Sequence, residues 1–263
     1  MGGSGNDHLL GEAGNDVIEG QSGADLIEGG DGDDYLEGNE DRDAIFDASG
    51  SNFVHGGAGA DFLAGGAGND IIHGGSGSDL IGGFEGDDHI DGGTNGDVID
   101  GGDGHDRLLG KHGNDRILGG NGKDSLDGGE GSDWLVGGAH NDILNGGKGD
   151  DLLAGGSGAD RLFGGDGADI IVGGAGADLL HGGAGADIFN YDALAESTSA
   201  SIDVIADFDR NEDKIDLSDL DMVFDDLEIA VVNGDTEVSL EGTEFKLRLL
   251  GDHHDLSAEH FQL

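Results

Sequence analysis

Aspartate returns every ninth residue along most of this chain, each time just behind a cluster of glycines. Asp7, Asp16, Asp25 and Asp34 open the series. Asp61, Asp70, Asp79, Asp88, Asp97, Asp106, Asp115, Asp124, Asp133, Asp142, Asp151, Asp160, Asp169, Asp178 and Asp187 carry it on, and Asp43 and Asn52 fall on the same count in between. A hard, anionic oxygen beside backbone carbonyls suits calcium, which takes about six to eight oxygens at about 2.3 to 2.6 Å in flexible geometry. Magnesium suits such a site poorly, because it demands a near-ideal octahedron and keeps its waters. The glycines serve the same chemistry: they allow the positive φ angles of a tight turn and let backbone approach an ion closely. The competing reading is a solvated acidic array whose side chains only close Asx turns.

The elements that must position these residues follow from the period. Twenty-one units of nine run without insertion from Gly2 to Asn190. Position one is Gly in 20 units, position four in 18 and position two in 15; position six is Asp in 20, and position eight is large and apolar in all 21. Positions seven to nine leave room for a short strand whose central side chain points one way and whose neighbours point the other, so position eight is the expected core. At these residues, for instance Gly65-Gly66-Ala67-Gly68-Asn69-Asp70-Ile71-Ile72-His73, the chain resembles the RTX family of calcium-binding nonapeptide repeats, whose Gly-Gly-x-Gly-x-Asp-x-U-x pattern is an established β-helix signature. The resemblance implies an all-β fold, a right-handed parallel β-roll with two repeats per turn, and backbone carbonyls of adjacent glycine-rich loops as further calcium ligands.

Stacking explains why a cation is needed. Aspartates eighteen residues apart lie in one column, and like charges about 4.8 Å apart repel by roughly 0.9 kcal/mol in water and about 3.5 kcal/mol at an effective dielectric near 20. Metal binding and folding are therefore expected to be one equilibrium. The loops allow 19 inter-loop sites, of which 11 match the pattern on both sides; between 11 and 19 Ca²⁺ ions are expected. Four loops depart. Asp41, Asn95 and His140 replace the position-four Gly beside Asp43, Asp97 and Asp142, and Asn52 replaces the Asp itself, with Asp47 at position one. The two weakest units are consecutive, so the segment 38–55 is expected to be the least calcium-saturated and most mobile, with Asp43 and Asn52 weak or lost as ligands.

Composition bounds the partners. With 58 acidic and 11 basic residues the net charge is −47, which disfavours nucleic acid and anionic membrane surfaces. There is no Cys and no Pro, so disulfides and thiolate chemistry are excluded. Composition alone would favour disorder; the order of residues argues otherwise. Met1 to Leu10 has neither the basic nor the apolar stretch of a cleaved export signal, and no apolar run is long enough to span a bilayer, so no membrane insertion is expected.

Outward positions differ between the two expected sheets. In odd-numbered units 16 of 22 are apolar, including Trp134, Leu152 and Ile170; in even-numbered units 8 of 20 are. An apolar surface of that extent is expected to be covered by the C-terminal segment, a second copy or a domain outside this chain. The alternative is that β-propensity alone placed these residues.

After Asn190 the period stops. Phe189-Asn190-Tyr191, Asp203-Val204-Ile205-Ala206-Asp207-Phe208 and Asp213-Lys214-Ile215-Asp216-Leu217 resemble the C-terminal region of serralysin-type metalloproteases and related exoproteins. That resemblance divides the chain into a roll, 1–190, and a β-rich cap with secretion signal, 191–263. It also implies the type I secretion apparatus of a Gram-negative bacterium as partner and an extracellular location. Residues 227–250, with Asn233-Gly234 between alternating runs, read as an antiparallel meander. Asp207, Asp209, Asn211 and Asp213 mimic an EF-hand start, but Glu212 stands where Gly is required, so a turn between strands is expected. No His-Glu-x-x-His, Gly-x-Ser-x-Gly or phosphate-loop motif is present. The expectation is a non-catalytic calcium-binding module that folds outside the cell and supports secretion of an exoprotein. The alternative is an accessory or adhesin domain of a larger secreted enzyme that binds polysaccharide or protein, for which Arg107, Lys111, Arg116 and Lys123 form a basic row.

Overall fold

A computed structural model of the protein describes every residue except Asp221. Two compact units, Met1–Trp134 and Leu135–Leu263, make up the chain. The fold is all-β, a parallel β-roll. Within the first unit, six-residue strands such as Val17–Ser22, Leu26–Asp31, Tyr35–Glu40 and Leu80–Glu85 begin at position seven of a repeat and end at position three of the next. Each pairs in parallel with the strand two ahead: Leu80 lies opposite Val98 and Ile81 opposite Ile99, a register of eighteen. Even-numbered and odd-numbered repeats thus build separate sheets.

The period-two alternation does what the pattern requires. Ile27, Leu36, Ile45, Val54, Leu63 and Ile72, all at position eight, are fully buried between the sheets, each stabilising the fold by about 1.5 to 3 kcal/mol. Turns between strands close because positions two and four take φ values that L side chains avoid, such as +110° at Gly30 and +141° at Gly32. Glu12, Gln21, Phe84 and Lys111 at position two adopt the same region without glycine's freedom.

The second unit continues the pattern through Ile143–Lys148, Leu152–Ser157, Arg161–Asp166, Ile170–Ala175 and Leu179–Ala184. Here the non-repeating residues join the same sheets. Asp203–Ile205 pairs in parallel with Leu179–Ala184, and Lys214–Asp216 with Ile188–Asn190. Leu227–Val232, Asp235–Leu240 and Lys246–Leu249 form the expected antiparallel meander, turned at Asn233 and Gly234, both at positive φ, and Lys246–Leu249 pairs in turn with Asp203–Ile205.

Of the three covers expected for the outward face of the odd-repeat sheet, the C-terminal segment takes another place within the second unit: it extends the sheets edge to edge, its free hydrogen-bonding groups matching those of the last repeat strands. Trp134 and Ile170 stay 41% and 39% exposed and Leu152 is half-buried. The even-repeat sheet also shows apolar side chains, Val17 and Ile71 among them, so the two faces differ less than their composition.

Candidate metal centres

From Asp25 onward the position-six aspartates use their two oxygens differently. One accepts the backbone N–H of the position-six residue eighteen residues earlier: Asp25 from Asp7, Asp34 from Asp16 and Asp61 from Asp43, each at 2.8 Å, and Asp187 from Asp169 at 2.9 Å. The other, Oδ2, is buried. At Asp7, Asp16, Asp25, Asp34, Asp43, Asp61, Asp70, Asp79, Asp88, Asp97, Asp106, Asp115, Asp160, Asp169, Asp178 and Asp187 it meets no hydrogen-bond donor. Asp124, Asp133, Asp142 and Asp151 are buried in the same register.

What faces Oδ2 in most of these places is a carbonyl. A β-carbon on Gly2 would sit 2.6 Å from Asp7 Oδ2 and 2.9 Å from the carbonyl oxygen of Gly20, and one on Gly56 would sit 2.6 Å from Asp61 Oδ2 and 2.7 Å from Gly74 O. Only glycine at position one leaves this space open: beside its α-carbon lies a cradle in which a carboxylate and a carbonyl from successive turns converge, both acceptors. Two acceptors facing each other in a buried space need a donor or a cation between them. The residues fit calcium, an oxygen-seeking ion that accepts mixed carboxylate and carbonyl ligands. Among the described residues no three His, Asp or Glu side chains cluster as a metal group, so main-chain oxygens would have to complete each site.

Burial without a counter-charge pushes these carboxyls up. Asp70, Asp88, Asp97, Asp106 and Asp178 reach about 7, and Asp79, Asp115, Asp169 and Asp187 about 6, with desolvation the main cause in each and nearby carboxylates adding to it.

The departures from the pattern fall into two kinds. At position four, Asp41, Asn95 and His140 take φ values of 76°, 76° and 81°, so the turn survives without glycine. The cradles in the repeats of His140 and Asp41 are intact: a β-carbon on Gly137 would lie 2.6 Å from both Asp142 Oδ2 and Gly155 O, and one on Gly38 would lie 2.7 Å from Gly56 O and closer still to Asp43 Oδ2. In geometry Asp43 is thus an ordinary member of its column. Asn52 is different. Its Oδ1 accepts the Asp34 N–H at 2.9 Å, and its Nδ2 donates to Gly65 O at 3.2 Å, so an amide hydrogen bond spans the cradle.

Sequence reasoning missed three residues. Asp203 and Asp213 prolong the two columns, accepting the N–H groups of Asp178 at 2.9 Å and Asp187 at 3.0 Å. Asp203 is fully buried, its Oδ2 has no donor, and burial pushes it up to about 8. Asp213 is satisfied instead, its Oδ2 accepting the Asp209 N–H at 2.7 Å. The available signal was Asp203-Val204-Ile205 and Asp213-Lys214-Ile215, which repeat the Asp-x-apolar ending of a unit. Asp47 is the third: its Oδ2 is buried without a donor, and burial followed by the neighbouring Asp34 carboxyl pushes it up.

Residues 1–36, 10–45, 46–81, 82–117, 118–153 and 154–189 each match the RTX calcium-binding nonapeptide repeat, four copies at a time. The chain belongs to this family. Two solution structures of subunits of the Azotobacter vinelandii mannuronan C5-epimerase are 34% and 33% identical to it, covering 47% and 48% of this chain and 78% and 89% of their own, with TM-scores of 0.40 and 0.41. The crystal structure of the extracellular lipase LipA from Serratia marcescens is 20% identical over 84% of this chain and 45% of that one, with a TM-score of 0.33. No curated protein matches the chain.

Outside the RTX columns the other candidate groups are engaged. Asp207 accepts the N–H groups of Gly182 and Gly183 at 3.0 Å each, and Asp209 accepts that of Asn211 at 2.8 Å, so the EF-hand-like run is a hydrogen-bonded turn. In the basic row, the Arg116 guanidinium lies 4.2 Å over the Trp134 ring and Lys111 pairs with Asp91 at 3.6 Å. Among the described residues no helix is long and apolar enough to cross a membrane.

Proposed function

We propose that the chain is a calcium-dependent folding module that supports type I secretion of an exoprotein and carries no catalytic site of its own. The observation that carries this reading is the row of buried Asp Oδ2 atoms that meet no donor, many of which, those of Asp7, Asp16, Asp61 and Asp160 among them, face a main-chain carbonyl across a glycine cradle. Bound calcium supplies the positive charge and the oxygen-accepting coordination that the protein's own groups leave unmet. The position-six aspartates and position-one carbonyls hold the ions, between 11 and 19 of them. Where calcium is scarce, the columns of carboxylates repel and the thin core cannot hold the turns together. The chain then remains unfolded inside the cell, leaves through the secretion apparatus from its C-terminal end, and closes its turns in extracellular calcium. Residues 191–263 serve as cap and export signal.

A calcium titration followed by circular dichroism and calorimetry tests this. β-structure is expected to appear cooperatively with calcium and vanish with chelator. A fold indifferent to chelation at neutral pH would sink the reading. One observation favours the accessory-domain alternative: Tyr35 and Phe53 stack at 4.9 Å and 8° on the outer face of the even-repeat sheet, a flat apolar platform of the kind sugar rings contact.

A further inference from the structure

The loop at Asp47 is the one turn of the repeats that leaves the regular path. Its strand, Ala44–Phe46, stops after three residues where its neighbours run for six. The cause is local. A β-carbon at position one would enter the cradle that glycine leaves open elsewhere, so Asp47 cannot sit as Gly38 or Gly56 do. Ala48 in turn stays out of the left-handed region that other position-two residues adopt. The chain bends, Asp47 Oδ1 accepts the Ser49 N–H at 3.0 Å, and Oδ2 turns toward the preceding turn of the same column.

What it reaches there is the cradle beside Gly29. A β-carbon on Gly29 would sit 2.6 Å from Asp34 Oδ2 and closer still to Asp47 Oδ2. In the cradle one turn earlier, beside Gly11, that second oxygen is the neutral carbonyl of Gly29. Asp34 and Asp47 are only 4% and 9% exposed, and neither Oδ2 has a hydrogen-bond donor. One turn further along the column, the Asn52 amide already bonds Gly65 O across the gap.

We infer that Asp34 and Asp47 form a calcium site in which the Asp47 carboxylate takes the place that a main-chain carbonyl holds in the cradle one turn earlier, and that the Asn52 amide closes the next position of the column with no cation. The inference rests on the calcium reading above. A second formal charge in place of a carbonyl raises affinity for a divalent cation, since ligand charge count is a main determinant of calcium dissociation constants; about a tenfold gain over the neighbouring sites is expected. The segment whose sequence reads as most damaged then holds the column's tightest ion beside a joint that needs none.

Long-wavelength anomalous diffraction from crystals of the full chain, equilibrated against stepped-down free calcium, reads occupancy site by site. The expected map keeps a peak between Asp34 and Asp47 at about tenfold lower free calcium than the peaks at Asp70 and Asp88, and has no peak beside Asn52. Asp47→Asn is expected to abolish that advantage. Asn52→Asp is expected to add one ion to the count by native mass spectrometry. Peaks at Asp70 and Asp88 with none between Asp34 and Asp47 overturn the inference, the two carboxyls then sharing a proton. An unchanged ion count in Asn52→Asp overturns its second half. A map with no peaks anywhere overturns the calcium reading itself.

Discussion

In most repeats, nine residues bury one large apolar side chain and one carboxylate, as at Asp70 and Asp88, whose second oxygen lacks a donor; after Asn190 the same sheets continue on different terms. Tyr191 meets Phe245 edge-on at 5.7 Å, and Ile205, Ile215, Leu217, Leu247 and Leu249 are fully buried. Asp213 finds the Asp209 N–H, and Glu237, held below its usual range by hydrogen bonds to Lys246 and Arg248, pairs with them at 2.7 and 3.1 Å. The C-terminal strands thus close largely with protein groups, the Asp203 Oδ2 and the Tyr191 hydroxyl excepted. The same backbone geometry can be stabilised by a counter-ion or by a denser core, and the repeats, with three or four glycines in most units, have no side chains left for the second route.

The largest expected effect is the response to chelation. At neutral pH, chelator is expected to abolish hydrogen-exchange protection of position-eight amides such as Ile90 and Leu162, while the meander from Leu227 to Leu249 loses least. Equal loss in both regions would break the contrast. The pH response follows in size. Carboxyls of the repeats are raised in the fold to about 6 or 7 from 3.8, so the metal-free folded state binds protons that the unfolded chain has released. Its stability is greatest at low pH and is lost as pH rises through 6 to 7. In chelator, acidification from pH 7.5 to 5 is therefore expected to restore β-ellipticity; a metal-free chain equally unfolded at both values would contradict the burial of these groups.

Glycine substitutions sharpen the comparison at single residues. A β-carbon in Gly155→Ala would lie 2.5 Å from Gly173 O and 2.6 Å from Asp160 Oδ2; a cost of about 1 to 3 kcal/mol and a shift of the calcium midpoint to higher concentration are expected. Gly234→Ala meets no atom within 4 Å, and only its φ of +98° resists the change. It is expected to cost about 1 kcal/mol with no shift in calcium midpoint, measured by thermal melts at saturating and limiting calcium. The smallest effect is assigned to Glu237→Gln, which weakens two partly exposed ion pairs and should destabilise the meander by about 1 kcal/mol or less, insensitive to calcium but diminished by salt.

Much of the fold was legible because the period is unbroken. Pairing of Leu80 with Val98, burial of Ile72 and the orientation of Asp88 all follow from counting in nines and eighteens. Asp203 and Asp213 escaped because the loop 191–202 stretches the spacing to 25 and 26 residues, and only the sheet shows that the columns resume. Asp41, Asn95 and His140 read as defects because glycine is the usual left-handed residue; the structure admits them at φ values of 76° to 81°, a modest backbone strain. Open Trp134 and Ile170 show that apolar composition in a strand does not identify what, if anything, lies over it.

By itself, the sequence determined the repeat, the core position, the parity of the two sheets and the calcium chemistry, since each depends only on residue type at a fixed interval. Tertiary structure decided which oxygen of each aspartate is committed to a neighbouring amide and which is left facing a carbonyl, how a non-glycine residue at position one redirects a carboxylate, and where the C-terminal strands dock. Those outcomes depend on groups eighteen or more residues apart meeting in space, where one side chain's volume or one N–H decides between a hydrogen bond and a place for a cation.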